Sequence, residues 1–134
     1  MPILNWAYIA GFLDGEGNIR MPNGSTNGLH GVLSPQITIV QCGLRGLEVI
    51  TAMNAFLNEN GIRASKIIVH RQKPYLDRYN LCINNRAGVG RLLTSVMPYL
   101  WVKRVEAQDA LRSMKLFPSI VGYHLRKSEV SIAA

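Results

Sequence analysis

One short stretch near the start of the chain combines two features that ordinary packing does not require. Ala7, Gly11 and Gly15 recur every four residues, and the acidic run Asp14-Gly15-Glu16-Gly17 overlaps the end of that series. On a helix this spacing lines up a stripe of nearly bare backbone. A glycine inside a helix costs about 1 kcal/mol relative to alanine. Two in one short helix therefore imply the close approach of another backbone, as in small-xxx-small helix pairs. Either another internal helix or the same helix of a second copy satisfies that pattern. In the second case, a two-fold axis along the stripe brings two copies of Glu16 together at the helix ends. Paired carboxylates repel unless a cation lies between them, and Mg²⁺ is held by few carboxylates together with waters and phosphate oxygens. Such an ion polarises a phosphate, activates water and stabilises a leaving oxygen, which is what phosphodiester hydrolysis requires. Asp14, beside a glycine near a helix end, reads as a residue that shapes the turn.

The elements that must position Glu16 follow from periodicity. Pro2 to Gly15 reads as a helix, with Pro2 in its first turn and Ile3, Trp6, Ile9, Phe12 and Leu13 as its apolar positions. A short strand over Asn18–Met21 and a strand over Gln36–Gln41 form a hairpin around the polar run Pro22–Gly28. A second helix is expected from about Leu44 to Asn60, carried by Leu47, Ile50, Met53 or Asn54, and Leu57, with Asn60-Gly61 as its stop. Lys66–Arg71 and Arg78–Ile83 form a second hairpin around Pro74 and Asp77. Helices over about Ala87–Met97 and Val102–Leu116 follow, giving the order α-β-β-α-β-β-α-α in one α+β domain over 1–134. Its core is expected at about 3–116, with a tail at 117–134.

Both hairpins alternate an apolar face with a polar one, as antiparallel sheets with one solvated face do. The polar face is expected to carry Asn18, Arg20, Gln36, Thr38, His70, Gln72, Arg78 and Asn80. Arg, Gln and Asn read base edges bidentately in the major groove, which admits β-ribbons. Arg71 and Lys73, in the same basic stretch, join this set as expected DNA contacts.

Charge supports a polyanionic partner. The 134 residues hold 15 Lys+Arg against 8 Asp+Glu, a formal charge of +7. The excess is concentrated after Ile62: Arg63, Lys66, Arg71, Lys73, Arg78, Arg86 and Arg91 face Asp77 alone before Leu92. Clustered cations that neutralise phosphates release condensed counterions, so such a surface suits nucleic acid. With 48% apolar and 17% charged residues, the chain is not a disordered basic tail. No apolar run reaches the roughly 18 residues of a membrane span, and no membrane partner is expected. The N-terminus lacks signal-peptide features, so an intracellular location is expected. Cys42 and Cys82 stand far apart without zinc spacing and read as buried free thiols.

The nine residues Ile9-Ala10-Gly11-Phe12-Leu13-Asp14-Gly15-Glu16-Gly17 resemble the signature of the LAGLIDADG homing endonucleases, and the element order over about 3–115 resembles that family's unit. One copy of the signature resembles the single-motif members, which act as homodimers. The resemblance implies an antiparallel sheet forming a DNA-binding saddle and a two-fold dimer through the first helix at Ala7, Gly11 and Gly15. It implies Mg²⁺-dependent cleavage of both strands of a long pseudo-palindromic DNA site, leaving short 3′ overhangs, by a protein encoded within an intron or intein. Mn²⁺ or Ca²⁺ are expected to occupy the same site. Glu16 matches the metal-binding acid, with the Gly15 carbonyl as a further ligand. Gln41 matches a polar residue that positions water or metal, and Lys103 a basic residue near the scissile phosphate. Arg45 is expected as a second active-site base. The competing expectation within the same fold is an RNA-binding intron maturase, or a DNA-binding protein that has lost cleavage.

Overall fold

A computed structural model describes residues 3–21 and 35–116 of the chain. Helix α1 (Trp6–Glu16) starts at Asn5, whose side chain accepts a hydrogen bond from the Tyr8 amide at 2.8 Å. That asparagine cap sets the first turn; Pro2 lies outside the described residues. Ile3 stands outside the helix and is 89% exposed, so only Ile9, Ala10 and Leu13 form the buried stripe, with Trp6 and Phe12 half-buried. The helix stops where Gly17 turns into strand β1 (Gly17–Arg20). A side chain at Gly17 would run into the Leu13 side chain and come within 2.7 Å of its carbonyl, so only glycine permits this junction.

Strand β2 (Gln36–Cys42) pairs antiparallel with β1 and passes straight into α2 (Gly43–Glu59). Gly43 makes that change of direction at φ +76°, in the left-handed region that glycine tolerates. Buried Gly46, Ile50, Met53 and Leu57 give α2 the helical period expected of it. At its end Asn60 caps through its side chain onto the Phe56 carbonyl, and the Ile62 amide returns to the Leu57 carbonyl at 2.9 Å. Strands β3 (Ser65–Val69) and β4 (Arg78–Ile83) complete one antiparallel sheet in the order β1-β2-β4-β3. Helix α3 (Arg86–Val96), capped by Asn85, a 3-10 turn at Met97–Tyr99 and helix α4 (Arg104–Leu116) follow.

The register decides which residues share a face. Ile37 and Ile39 of β2 stand opposite Ile83 and Leu81 of β4, all fully buried beneath the helices with Ile19 of β1. Helix α2 lies across β2, β4 and β3; α1 packs on β1, β2 and α3; α4 packs against α3 and β1. Every helix thus contributes to one apolar core beside the sheet, as the hydrophobic effect demands of half-apolar elements. The opposite face presents Asn18, Arg20, Gln36, Thr38, Arg78 and Asn80, as the alternation implies.

Three expectations change here. Strand β3 ends at Val69, so His70, Arg71, Gln72 and Lys73 belong to the β3–β4 connection rather than to the sheet face. The register also puts Ile67 and Val69, opposite Asn80 and Arg78, on the outer face of β3. Neither cysteine is fully buried: Cys42 is exposed and Cys82 half-buried, both free. Burial still pushes the Cys82 thiol up, with the Thr38 hydroxyl beside it opposing the shift. The polar run Pro22–Gly28 and the tail with Arg126 and Lys127 lie outside the described residues. Among those described, no helix is long and apolar enough to cross a membrane.

Candidate nuclease site and nucleic-acid interface

The end of α1 holds two acidic residues with opposite fates. Asp14 is fully occupied: one carboxylate oxygen accepts from the Trp101 amide at 2.8 Å, the other from the Lys103 amide at 2.9 Å. The Lys103 ammonium returns the contact, donating to the Asp14 carbonyl at 2.8 Å. Asp14 thereby clamps the segment after the buried Leu100 to the signature helix across most of the sequence. Asp14→Asn keeps the shape but turns an NH₂ toward one of these donors. Hydrogen bonds to a charged group contribute about 1.5–3 kcal/mol, so this variant should lose about 2 kcal/mol of stability in urea unfolding.

Glu16, two residues on, is exposed and makes no hydrogen bond or ion pair among the described residues. It lines an open pocket of about 380 Å³ with Gly11, Phe12 and Gln41. Gln41 reaches this position because Gly46, one turn into α2, lets the helix start pass close: a side chain there would sit 2.8 Å from Gln41 Cβ. The Gln41 amide group donates to its neighbour Val40's carbonyl at 2.9 Å, which leaves the carboxamide oxygen directed elsewhere. Glu16 and Gln41, matched separately from the sequence, thus meet around one pocket. Lys103 comes to the same helix end, held on Asp14. Arg45, in the first turn of α2 and exposed, does not line the pocket.

The stripe expected at Ala7, Gly11 and Gly15 faces outward. All three residues are exposed, and a side chain added at Gly11 or Gly15 would meet nothing within 4 Å. Among the described residues no internal helix fills it. Beyond the stripe, Trp101 and Val102 on the clamped segment are 88% and 71% exposed.

The β3–β4 connection carries a second organised cluster, which sequence reasoning missed. The Asp77 carboxylate accepts from the Arg71 amide at 3.1 Å and pairs with His70 Nδ1 at 3.0 Å. Arg71 donates from Nε to the Leu76 carbonyl and from Nη2 to Cys42 Sγ, and lies over the Tyr75 ring. The Asp77 carbonyl also accepts from the Gly43 amide, tying the connection to the start of α2. Arg71 is therefore spent on shaping the turn, while Gln72 and Lys73 remain exposed at it. The Arg71 amide, then the His70 side chain, hold the Asp77 carboxyl below its ordinary value of 3.8. A depressed carboxylate stabilises above its ordinary pKa and loses that contribution as pH falls through the lowered value. Exchange of the Arg71 amide hydrogen, followed by NMR, should stay protected down to pH 3.8 and lose protection only below it.

No family model and no curated protein matches the sequence. Solved structures do. The homing endonuclease I-CvuI in complex with its target superposes with a TM-score of 0.64 at 18% identity, over 96% of this chain and 81% of that one. The same enzyme on the I-CreI target, uncleaved with Mg present, gives 0.63 at 20% identity over 84% and 67%. The homing endonuclease I-TnaI gives 0.61 at 24% identity, over 98% and 84%. Identities this low speak for architecture alone, and the architecture agrees: one antiparallel four-stranded sheet under helices, entered from a signature helix. The chain has the LAGLIDADG homing-endonuclease fold.

Proposed function

We propose that the chain is a site-specific DNA endonuclease that works as a homodimer, with one copy's Glu16 serving each strand. The observation that carries this reading is the contrast at the end of α1: a free, exposed Glu16 beside Gln41, on a helix whose glycine edge stands open. A carboxylate that served folding would be engaged as Asp14 is.

The donor set is consistent with a divalent ion under one condition. Among the described residues no three His, Cys, Asp or Glu side chains cluster to hold a metal. Mg²⁺ does not need such a cage, since one or two carboxylates plus waters and phosphate oxygens suffice. Glu16, the Gly15 carbonyl and a DNA phosphate would supply that set, with Mn²⁺ or Ca²⁺ as substitutes. When bound, the ion would neutralise phosphate charge and acidify a water. Gln41 would orient that water by hydrogen bonding. Lys103, with its ammonium already at the helix end, would stabilise charge developing on the phosphate. Arg45 stands at the start of α2 as an outlying phosphate contact.

The polar sheet face and the connection at Gln72 and Lys73 would supply the DNA contacts, with steep salt dependence. An intron or intein as the coding context fits a nuclease whose target is the uninterrupted gene. The reading is tested on a plasmid carrying the joined flanks of the coding region, incubated with Mg²⁺. Linear product with short 3′ overhangs is expected. Tight binding with no cleavage under any divalent ion would point instead to a DNA-binding protein that has lost its chemistry, and RNA binding in preference to duplex DNA to a maturase.

A further inference from the structure

The outer face of the sheet is not uniformly polar, and its unevenness says what it reads. Three residues stand side by side across β2, β4 and β3: Val40, Asn80 and Ile67. Val40 is half-buried and Ile67 48% exposed, so an apolar side chain flanks Asn80 on each side. The Asn80 Oδ1 is covered and has no hydrogen-bond partner, and the same holds for Nε of Arg78 in the next row. An unpaired covered acceptor is costly, and the two side chains flanking this one offer no donor. Among the described residues nothing supplies the missing donor, and a turn of the half-buried Asn80 carboxamide toward solvent would bring its oxygen to a group lying on the sheet.

We infer that Asn80 reads an adenine in each half of the DNA site, with whichever of Val40 and Ile67 lies on the thymine side packing on that base's methyl group. The inference rests on the sheet face binding duplex DNA, as proposed above. A carboxamide pairs bidentately with adenine N6 and N7, where the adenine amino group gives the oxygen its donor. Thymine is the one base that presents a methyl group in the major groove, the surface an aliphatic side chain meets favourably. Guanine or cytosine at this position would leave the apolar flank against polar edges. Strands lie about 4.8 Å apart, so a row across them runs along a base pair when the strands follow the groove. Along β4, side chains on one face repeat every ~6.8 Å, about two base-pair steps of 3.4 Å. Arg78, the next outward residue, therefore addresses a position two base pairs from the Asn80 position.

Selection from a randomised duplex library, sequenced for the wild-type chain and for Asn80→Ala and Arg78→Ala, tests this. Wild type should favour A·T about tenfold or more at one position per half-site. Asn80→Ala should flatten that position alone, and Arg78→Ala one two base pairs away. Replacing the thymine by deoxyuridine should weaken wild-type binding severalfold, a measurement independent of how any variant folds. A G·C preference at the Asn80-sensitive position, an unaltered profile in Asn80→Ala, or indifference to the thymine methyl would overturn the inference while DNA binding stood. Absence of any duplex binding by the wild-type chain at low salt would remove the reading on which it rests.

Discussion

Glu16→Gln should leave DNA affinity within a few-fold of wild type and lower cleavage by about a thousandfold. Lewis-acid stabilisation by a metal ion is worth several kcal/mol, and each ~1.4 kcal/mol is tenfold in rate. Glutamine keeps the size of the side chain but is a far weaker ligand for a hard cation, which prefers anionic oxygen. Because the exposed Glu16 side chain has no partner among the described residues, the change should also leave stability within about 0.5 kcal/mol, as surface substitutions do. That combination separates it from Asp14→Asn, which strikes folding first. Gel-shift titration, plasmid cleavage with Mg²⁺ and urea unfolding on the same preparation measure all three. Cleavage near the wild-type rate would remove Glu16 from the chemistry.

In the proposed homodimer, Gly11→Leu should make the isolated chain more stable and abolish cleavage. Leucine at a helix interior gains about 0.5–1 kcal/mol over glycine. The site has room, since a side chain there meets nothing within 4 Å in the single chain. Two helices that cross on a glycine edge have no such room. The variant should elute as a monomer with a raised thermal midpoint. Its DNA affinity should fall by about two orders of magnitude or more, because the second half-site is no longer bound intramolecularly. Double-strand cleavage should vanish. A Gly11→Leu protein that still elutes as a dimer and cuts both strands would contradict the proposed contact through the first helix.

Much of this was legible in the sequence because it depends on local patterns. The period of Ile50, Met53 and Leu57 and the alternation of Ile37, Ile39, Leu81 and Ile83 fix helices and strands wherever one face must be buried. The role division within Asp14-Gly15-Glu16 was legible only in part. Asp14 does shape structure, yet through amides of Trp101 and Lys103, and no spacing rule connects residues so far apart in sequence. The hairpin around Pro74 and Asp77 was legible, but the side-chain cluster that shapes it was not, for a related reason. A carboxylate that captures the Arg71 amide and the His70 imidazole stands where the strand expected to reach Arg71 ends instead at Val69. Gln41 and Lys103 have no signal of their own in composition or period. They became candidates through resemblance, and their convergence on the end of α1 is a matter of tertiary packing.

The division of labour between two copies is tested most directly by counting strands. Differently tagged wild-type and Glu16→Gln chains are co-expressed, and the mixed dimer is purified through both tags. It is then given supercoiled plasmid carrying the target site and Mg²⁺. If each Glu16 cuts one strand, the product accumulates as nicked circles, while the wild-type dimer gives linear DNA. Linear product from the mixed dimer at the wild-type rate would contradict the assignment of one Glu16 to each strand.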